Sequence, residues 1–331
     1  MAHGLPGGSP LSVATISVSD MNRSLDFYCR RIGMTVRSDA TWSGPAFARH
    51  WHLAGNASAR AVFLAAATHA VGRVLLLQFD ATGRAPIRQD AVRRGYGLWN
   101  LNFYTHDIVG ASKELAGLGY RFWSEPTAHN FSPEVGSPVE VMFDGPDEVP
   151  INLVELRGGG PGSQIGGMRT FLQQHGTTKT GFTPVVTSSH CVRSREKGIA
   201  FYRDVLGMHV VIDEEMNSPA ANHFLNIPAS SRTHVTFVEG NHMFGKVAMS
   251  WPVNYTPVDL VPRAIAPNVG YLSQTFLVPD VAATIAATQE QGGQVYTPRH
   301  DVDIPGLGAV TAAIVRNPAS GALTEFVETK A

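Results

Sequence analysis

The feature that most constrains this chain is a helix-and-turn segment that occurs twice. Asp20 to Met34, with Leu25, Phe27, Tyr28, Ile32 and Gly33 at its key positions, returns as Ser194 to Met208, with Ile199, Phe201, Tyr202, Leu206 and Gly207. Phe27 and Phe201, like Gly33 and Gly207, are separated by 174 residues. Repetition at a fixed spacing selects architectures built from copies of one supersecondary unit. Each copy is physically sensible as a buried amphipathic helix. Asp20 or Ser194 caps the first turn by accepting from free backbone N–H groups. The apolar residues share one face. A glycine then supplies the left-handed residue that stops the helix. These residues read as scaffold rather than chemistry.

What flanks the two copies extends the repeat. Leu11 to Val18 alternates as a strand ahead of the first helix, and strands are expected at Thr35-Val36, Arg60 to Ala66 and Val71 to Phe79. The stretch Thr41 to Ala59 reads as an insertion carrying Trp42, Phe47, His50, Trp51 and His52. A second β-α-β-β-β unit runs from Trp99 to Leu156, a third from Phe182 to Trp251, and a fourth from Val269 to Val327. Asp107 and Asp280, and Gly119 and Gly292, again match at an offset of 173. Four such units give an α+β fold. The division expected is a flexible N-terminus at 1–10, a first domain at 11–157, a linker at 158–181 and a second domain at 182–331. The run Gly158-Gly159-Gly160-Pro161-Gly162 marks the linker, which should be open to protease.

Length and composition agree. A chain of 331 residues suits roughly two domains of about 150 residues. Apolar residues make up 44% and charged ones 16%, enough apolar surface for packed cores. The net charge of −1 gives no footprint for nucleic acid. No apolar run reaches the length of a membrane-spanning helix. Met1 to Pro10 lacks the pattern of a signal peptide. Two cysteines, Cys29 and Cys191, make no disulfide framework and point to a reducing cytoplasm.

The motif Asp-x-x-x-Ser-x-x-Phe-Tyr followed by Ile-Gly-Met, with a second copy that reads Ser-x-x-x-Gly-x-x-Phe-Tyr followed by Leu-Gly-Met, within four βαβββ units resembles the vicinal oxygen chelate superfamily of glyoxalases, bleomycin-resistance proteins and extradiol dioxygenases. The resemblance spans Leu11 to Glu328 and implies two glyoxalase-like β cups, one in each half. Family enzymes place a divalent metal in the cup, on His or Glu from the first and last strands of each unit. Counting from the repeated motifs puts Val13, Gln78, Asn100 and Asn152 at those places in the first half. In the second half it puts Thr187, Trp251, Ser273 and Glu325 there. Metal sites want imidazole, carboxylate or thiolate donors, three or more from the protein. Only Glu325 qualifies, so no metal and no other cofactor is expected.

The other histidines offer no replacement set. His190 faces the helix side of its strand by alternation. His50 and His52 lie in the insertion without an identifiable third ligand, and His300 is expected at a cup rim. The leading functional expectation is a metal-independent lyase or isomerase acting on a small organic molecule. Glu325 would be its acid/base group, in a second cup shaped by Thr187, Ser273 and Trp251. One alternative is non-catalytic binding or sequestration in a first cup lined by Val13, Gln78, Asn100, Asn102, Tyr104 and Asn152. A second is a metal-dependent dioxygenase or glyoxalase whose ligands lie elsewhere. The expected partner is a small molecule, with a homodimer left open.

Overall fold

The computed structural model describes residues 2–66, 69–89 and 94–329; Met1, Lys330 and Ala331, at the ends of the expected division, lie outside it. Unit 1 contains β1 (Leu11–Ser17), α1 (Met21–Leu25) continuing as a π-helical turn through Arg31, β2 (Thr35–Ser43), α2 (Pro45–Trp51), β3 (Ser58–Ala65) and β4 (Arg73–Phe79). Unit 2 contains β5 (Gly95–Tyr104), α3 (Ile108–Gly117), the short β6 (Arg121–Phe122) and β7 (Thr127–Ala128), β8 (Val139–Asp144) and β9 (Pro150–Glu155). The segment between the halves holds α4 (Gln164–His175). Unit 3 contains β10 (Thr187–Cys191), α5 (Arg195–Ala200) with a following π-helical turn, β11 (His209–Met216), α6 (Pro219–Phe224), β12 (Thr233–Glu239) and β13 (Lys246–Pro252). After the short β14 (Val258–Asp259), unit 4 contains β15 (Gly270–Leu277), α7 (Val281–Glu290), β16 (Gln294–Ile304), β17 (Gly308–Arg316) and β18 (Leu323–Thr329).

The caps behave as the residue types require. Asp20 accepts from the N–H groups of Asn22 and Arg23, and Ser194 from that of Lys197. Asp107 and Asp280 do the same for Gly110 and Ala283. Gly33 and Gly207 close the repeated helices with φ of 84° and 71°. That region of backbone space is open to glycine at no steric cost. Phe27, Tyr28, Phe201 and Tyr202 are fully buried in the main core.

The chain is α+β, with its four βαβββ units paired into two curled sheets. The pairing corrects one expectation: neither cup belongs to one half. One sheet has the order β16-β17-β18-β15-β1-β4-β3-β2, joining unit 4 to unit 1. The other has the order β11-β12-β13-β10-β5-β9-β8-β6, joining unit 3 to unit 2. The seams are the antiparallel pairs β1–β15 and β5–β10, with Val13 opposite Thr275 and Asn102 opposite Thr187. We call the first sheet cup A and the second cup B. A first strand offers an unpaired edge in each unit. Two such edges satisfy each other antiparallel, which removes the unpaired backbone groups of both.

Two further expectations change. The N-terminus is not loose: His3 N–H donates to Val205 O, and Ser9 Oγ donates to Leu277 O at 2.6 Å. The linking segment 158–181 is not an open tether, because α4 buries Ile165, Met168 and Leu172 against cup B.

Between the sheets runs a buried polar chain. Gln274 Nε2 donates to Ser188 Oγ at 2.8 Å, and the hydroxyls of Ser188 and Tyr271 lie 2.7 Å apart. Tyr202 OH donates to Gln274 Oε1 at 3.1 Å. His190 Nε2 therefore donates to Tyr202, and its Nδ1 accepts from Ser320. Burial pushes the His190 imidazole down to about 3. Burial is also the main cause that lowers His69, His129, His242 and His300.

Two predictions follow from the seams and from these rings. Fragments 1–181 and 182–331, co-expressed with one tag, should copurify, because each supplies half of both cups. Two fragments that each run as monomers and melt cooperatively alone would contradict the cross-half pairing. A base whose pKa is lower folded than unfolded takes up more protons when unfolded. Stability should therefore decline as pH drops below about 6.5, the ordinary histidine value. The melting temperature should fall between pH 7.5 and pH 5, above the range where most carboxyl groups titrate. His190→Gln should flatten part of that slope, and an unchanged slope would remove His190 from the account.

Candidate functional site

Register defines the row of side chains that crosses the centre of each cup. In cup A, Val13 is level with Arg73 on β4 and Thr275 on β15, and Thr275 is level with Glu325 on β18. Glu325 is only 3% exposed. Thr275 Oγ1 donates to its Oε2. His50, from α2, places Nε2 at 2.9 Å from Oε1, in a close contact out of line for a ring N–H bond. The other nitrogen of His50 lies 3.3 Å from His300 Nε2, and His300 Nδ1 donates to Pro298 O. Trp42 and Trp51 pack on the His50 ring, and Phe47 lies beside Trp42. Cup A is thus filled by its own helix, and its carboxyl group is sealed beneath it.

Cup B has the row Asn152–Asn102–Thr187–Lys246, on β9, β5, β10 and β13. Its interior keeps space in two adjoining lobes of about 50 and 30 Å³. Asn102, Phe131, Glu140 and Phe237 line both lobes, so Glu140 stands at their junction. The polar wall is ordered. Ser189 Oγ donates to Asn100 Oδ1, and Asn100 Nδ2 donates to Asn102 Oδ1. Asn152 Nδ2 donates to Glu140 Oε2 at 2.6 Å. Tyr104 OH donates to Met168 Sδ of α4, and burial raises its phenol far above the usual range, so it keeps its proton. Lys246 ends the row fully buried, with Nζ 2.9 Å from Glu239 Oε2; burial lowers its ammonium and Glu239 opposes that. Apolar residues such as Met142, Met216 and Phe224 form the facing wall.

The difference between the cups has a source in the repeat. At the same offset of 174, Pro45, His50, Trp51 and His52 correspond to Pro219, Phe224, Leu225 and Asn226. His52 and Asn226 both hold positive φ, 56° and 52°, so the two helices end alike. The imidazole of His50 and the indole of Trp51 fill cup A. Phe224 and Leu225 only line the wall of cup B.

The residues singled out in the sequence sort differently from the expectation. Asn100, Asn102, Tyr104 and Asn152 do come together, and Thr187 joins them in cup B. Val13, Ser273 and Glu325 stand in cup A. Ser273 is fully buried and its hydroxyl has no partner. Gln78 and Trp251 belong to neither interior. Gln78 accepts from Met21 N–H at the start of α1, and Trp251 packs with the main core on the helix side. Strand alternation explains both: a count off by one position moves a side chain to the opposite face. Grouping Glu325 with Thr187 and Trp251 assumed a cup within each half, which the cross-half seams overturn. His300 is not at a rim but on β16, buried against His50. Sequence reasoning missed Glu140, Arg94, Lys246 and the His50–Glu325 contact. Alternation in Val139-Glu140-Val141-Met142 could have marked Glu140; the others depend on which strands meet.

A divalent metal fits neither row. Cup B presents two amides, a hydroxyl and an ammonium, and an ammonium is no ligand. In cup A, His50 stands between His300 and Glu325, so the three share no common point. Among the described residues no group of three His, Cys, Asp or Glu is arranged to hold a metal ion.

Two βαβββ pairs that share their cups across the halves, one cup closed and one hollow, define a glyoxalase-like β-cup protein. Residues 11–153 match the sequence profile of the Glyoxalase/Bleomycin resistance protein/Dioxygenase superfamily. No curated protein matches the sequence. Among solved structures, a glyoxalase I mutant from Zea mays is similar at 15% identity and a TM-score of 0.62, over 97% of this chain and 92% of that one. Glyoxalase I from Zea mays is similar at 14% identity and a TM-score of 0.60, with the same two coverages. These likenesses extend the shared fold to the second half. Among the described residues no helix is long and apolar enough to cross a membrane.

The sealed contact gives a stability prediction. Glu325→Ala would leave Thr275 and His50 without their buried partner. Loss of a buried hydrogen-bonding partner costs about 1–3 kcal/mol. Chemical denaturation should show a loss of that size, whereas Glu140→Gln, at a cavity wall, should shift the midpoint much less. A Glu325→Ala protein as stable as the parent would contradict the sealed arrangement.

Proposed function

We propose that this chain takes a small organic molecule into cup B and acts on it as a metal-independent lyase or isomerase, with Glu140 exchanging the proton. The observation that carries the reading is the position of Glu140: a carboxyl group at the junction of the two lobes, oriented by the Asn152 amide. A concave site with apolar walls and a few converging polar groups is the usual form of a small-molecule site. A general acid or base must reach its proton directly or through one water; Glu140 lines the space of cup B, whereas Glu325 is sealed in cup A. The amides of Asn100, Asn102 and Asn152 orient a ligand but exchange no proton near neutral pH.

The amide ladder also favours a second reading, in which cup B only holds its ligand, as a sequestering protein would. The two readings separate on one variant. Glu140→Gln should leave ligand affinity nearly unchanged and lower turnover by about 100-fold or more, the usual size of a general acid/base contribution. Parent protein that binds a ligand in cup B and returns it unaltered would favour sequestration. Full activity in Glu140→Gln, with activity lost in Glu325→Gln, would return the catalytic role to cup A.

A further inference from the structure

Cup B holds a buried cation that, among the described residues, is in ion-pair contact with no carboxyl group. Arg94 is 8% exposed and lines the larger lobe. Its guanidinium lies 5.8 Å from the Trp99 ring centroid and beside the Cys191 thiol, and its Nε has no partner. Arg88, also buried, is matched by acids: it sits 2.7 Å from Asp144 and 3.2 Å from Glu148. Among the described residues no carboxyl group pairs with Arg94. Burying a guanidinium without an anion is costly, and such a group is a receptor for one. A second unpaired atom lines the same lobe. Asn152, 3% exposed, gives its Nδ2 to Glu140 and leaves Oδ1 without a donor. An amide oxygen accepts and never donates, so its missing partner must be an O–H or N–H.

We infer that the ligand of cup B is an organic acid: an apolar body with a carboxylate that pairs with Arg94 and a hydroxyl or N–H that donates to Asn152 Oδ1. This rests on cup B being the ligand site, and it adds the chemistry of the ligand. The facing apolar wall of Met142, Met216 and Phe224 suits an aromatic or branched body between the two polar ends. A planar guanidinium binds carboxylates through two parallel hydrogen bonds, so an ester or primary amide is a poor substitute. The same reasoning separates Arg94 from Lys246, whose charge Glu239 already meets.

The test uses three probes on the full chain, measured by ligand-observed NMR titration: para-hydroxyphenylacetate, its methyl ester, and phenylacetate. The ester should bind about 10-fold more weakly or worse, and phenylacetate more weakly than the hydroxylated acid, by a charge-assisted and a neutral hydrogen bond respectively. Arg94→Gln should abolish the preference for acid over ester and leave the preference for the hydroxyl. Asn152→Leu should do the reverse. Two variants that fill the cavity, Ala248→Phe and Ser250→Leu, locate the binding, with melting curves confirming that they fold. Loss of binding in the filled variants, together with equal affinity for acid and ester, would overturn the organic-acid inference and leave cup B as the site. Binding that survives both filled variants would overturn the site itself. No binding of any probe at millimolar concentration would also reject the organic-acid inference.

Discussion

The structure depends on two antiparallel seams, β1 against β15 and β5 against β10. Each βαβββ unit ends its curl at a first strand whose outer edge is unpaired. A single unit cannot bury its concave face or satisfy that edge. Pairing first strand to first strand does both, and it brings the central row of one unit alongside that of another. Everything functional sits on those rows. Asn152 and Asn102 come from unit 2, Thr187 and Lys246 from unit 3, and the chain needs both halves to place them side by side. The polar chain from His190 to Tyr271 then ties the two sheets back to back.

One fold has thereby produced two unlike interiors. In cup A the repeated helix between the second and third strands carries His50 and Trp51, which occupy the space a ligand would need. The two ring nitrogens of His50 face Glu325 and His300, and the site is a closed piece of core. In cup B the same helix carries Phe224 and Leu225, and the floor remains an array of amides with Glu140, Arg94 and Lys246 around it. The repeat keeps the backbone far more strictly than the side chains facing inward, so a shared fold does not settle a shared chemistry.

Much of this was legible in the chain itself. The offset from Phe27 to Phe201, the capping residues Asp20, Asp107, Ser194 and Asp280, and the glycines that end the helices identify four copies of one unit. These are local signals: a cap needs only its next turn, and a helix stop only its own φ. The amides Asn100, Asn102 and Asn152 were also readable as cup-facing, because alternation along β5 and β9 is unbroken near the motifs used for counting. Gln78 and Trp251 were misread because one position along a strand inverts the face.

What the sequence by itself determined is the unit, its fourfold repetition and the polar character of its central positions, since each follows from interactions within a few residues. Which unit meets which was decided only in three dimensions. Any first strand can pair with any other by the same backbone hydrogen bonds, so no local signal distinguishes unit 4 from unit 2 as the partner of unit 1. The consequences of that choice were equally hidden. Glu325 meets His50 across 275 positions of sequence, and Arg94 and Asn152 are left unpaired in one cavity because of the strands that surround them. Pairing between distant edges is a property of the assembled sheets, and it assigned one carboxyl group to the core and another to the pocket.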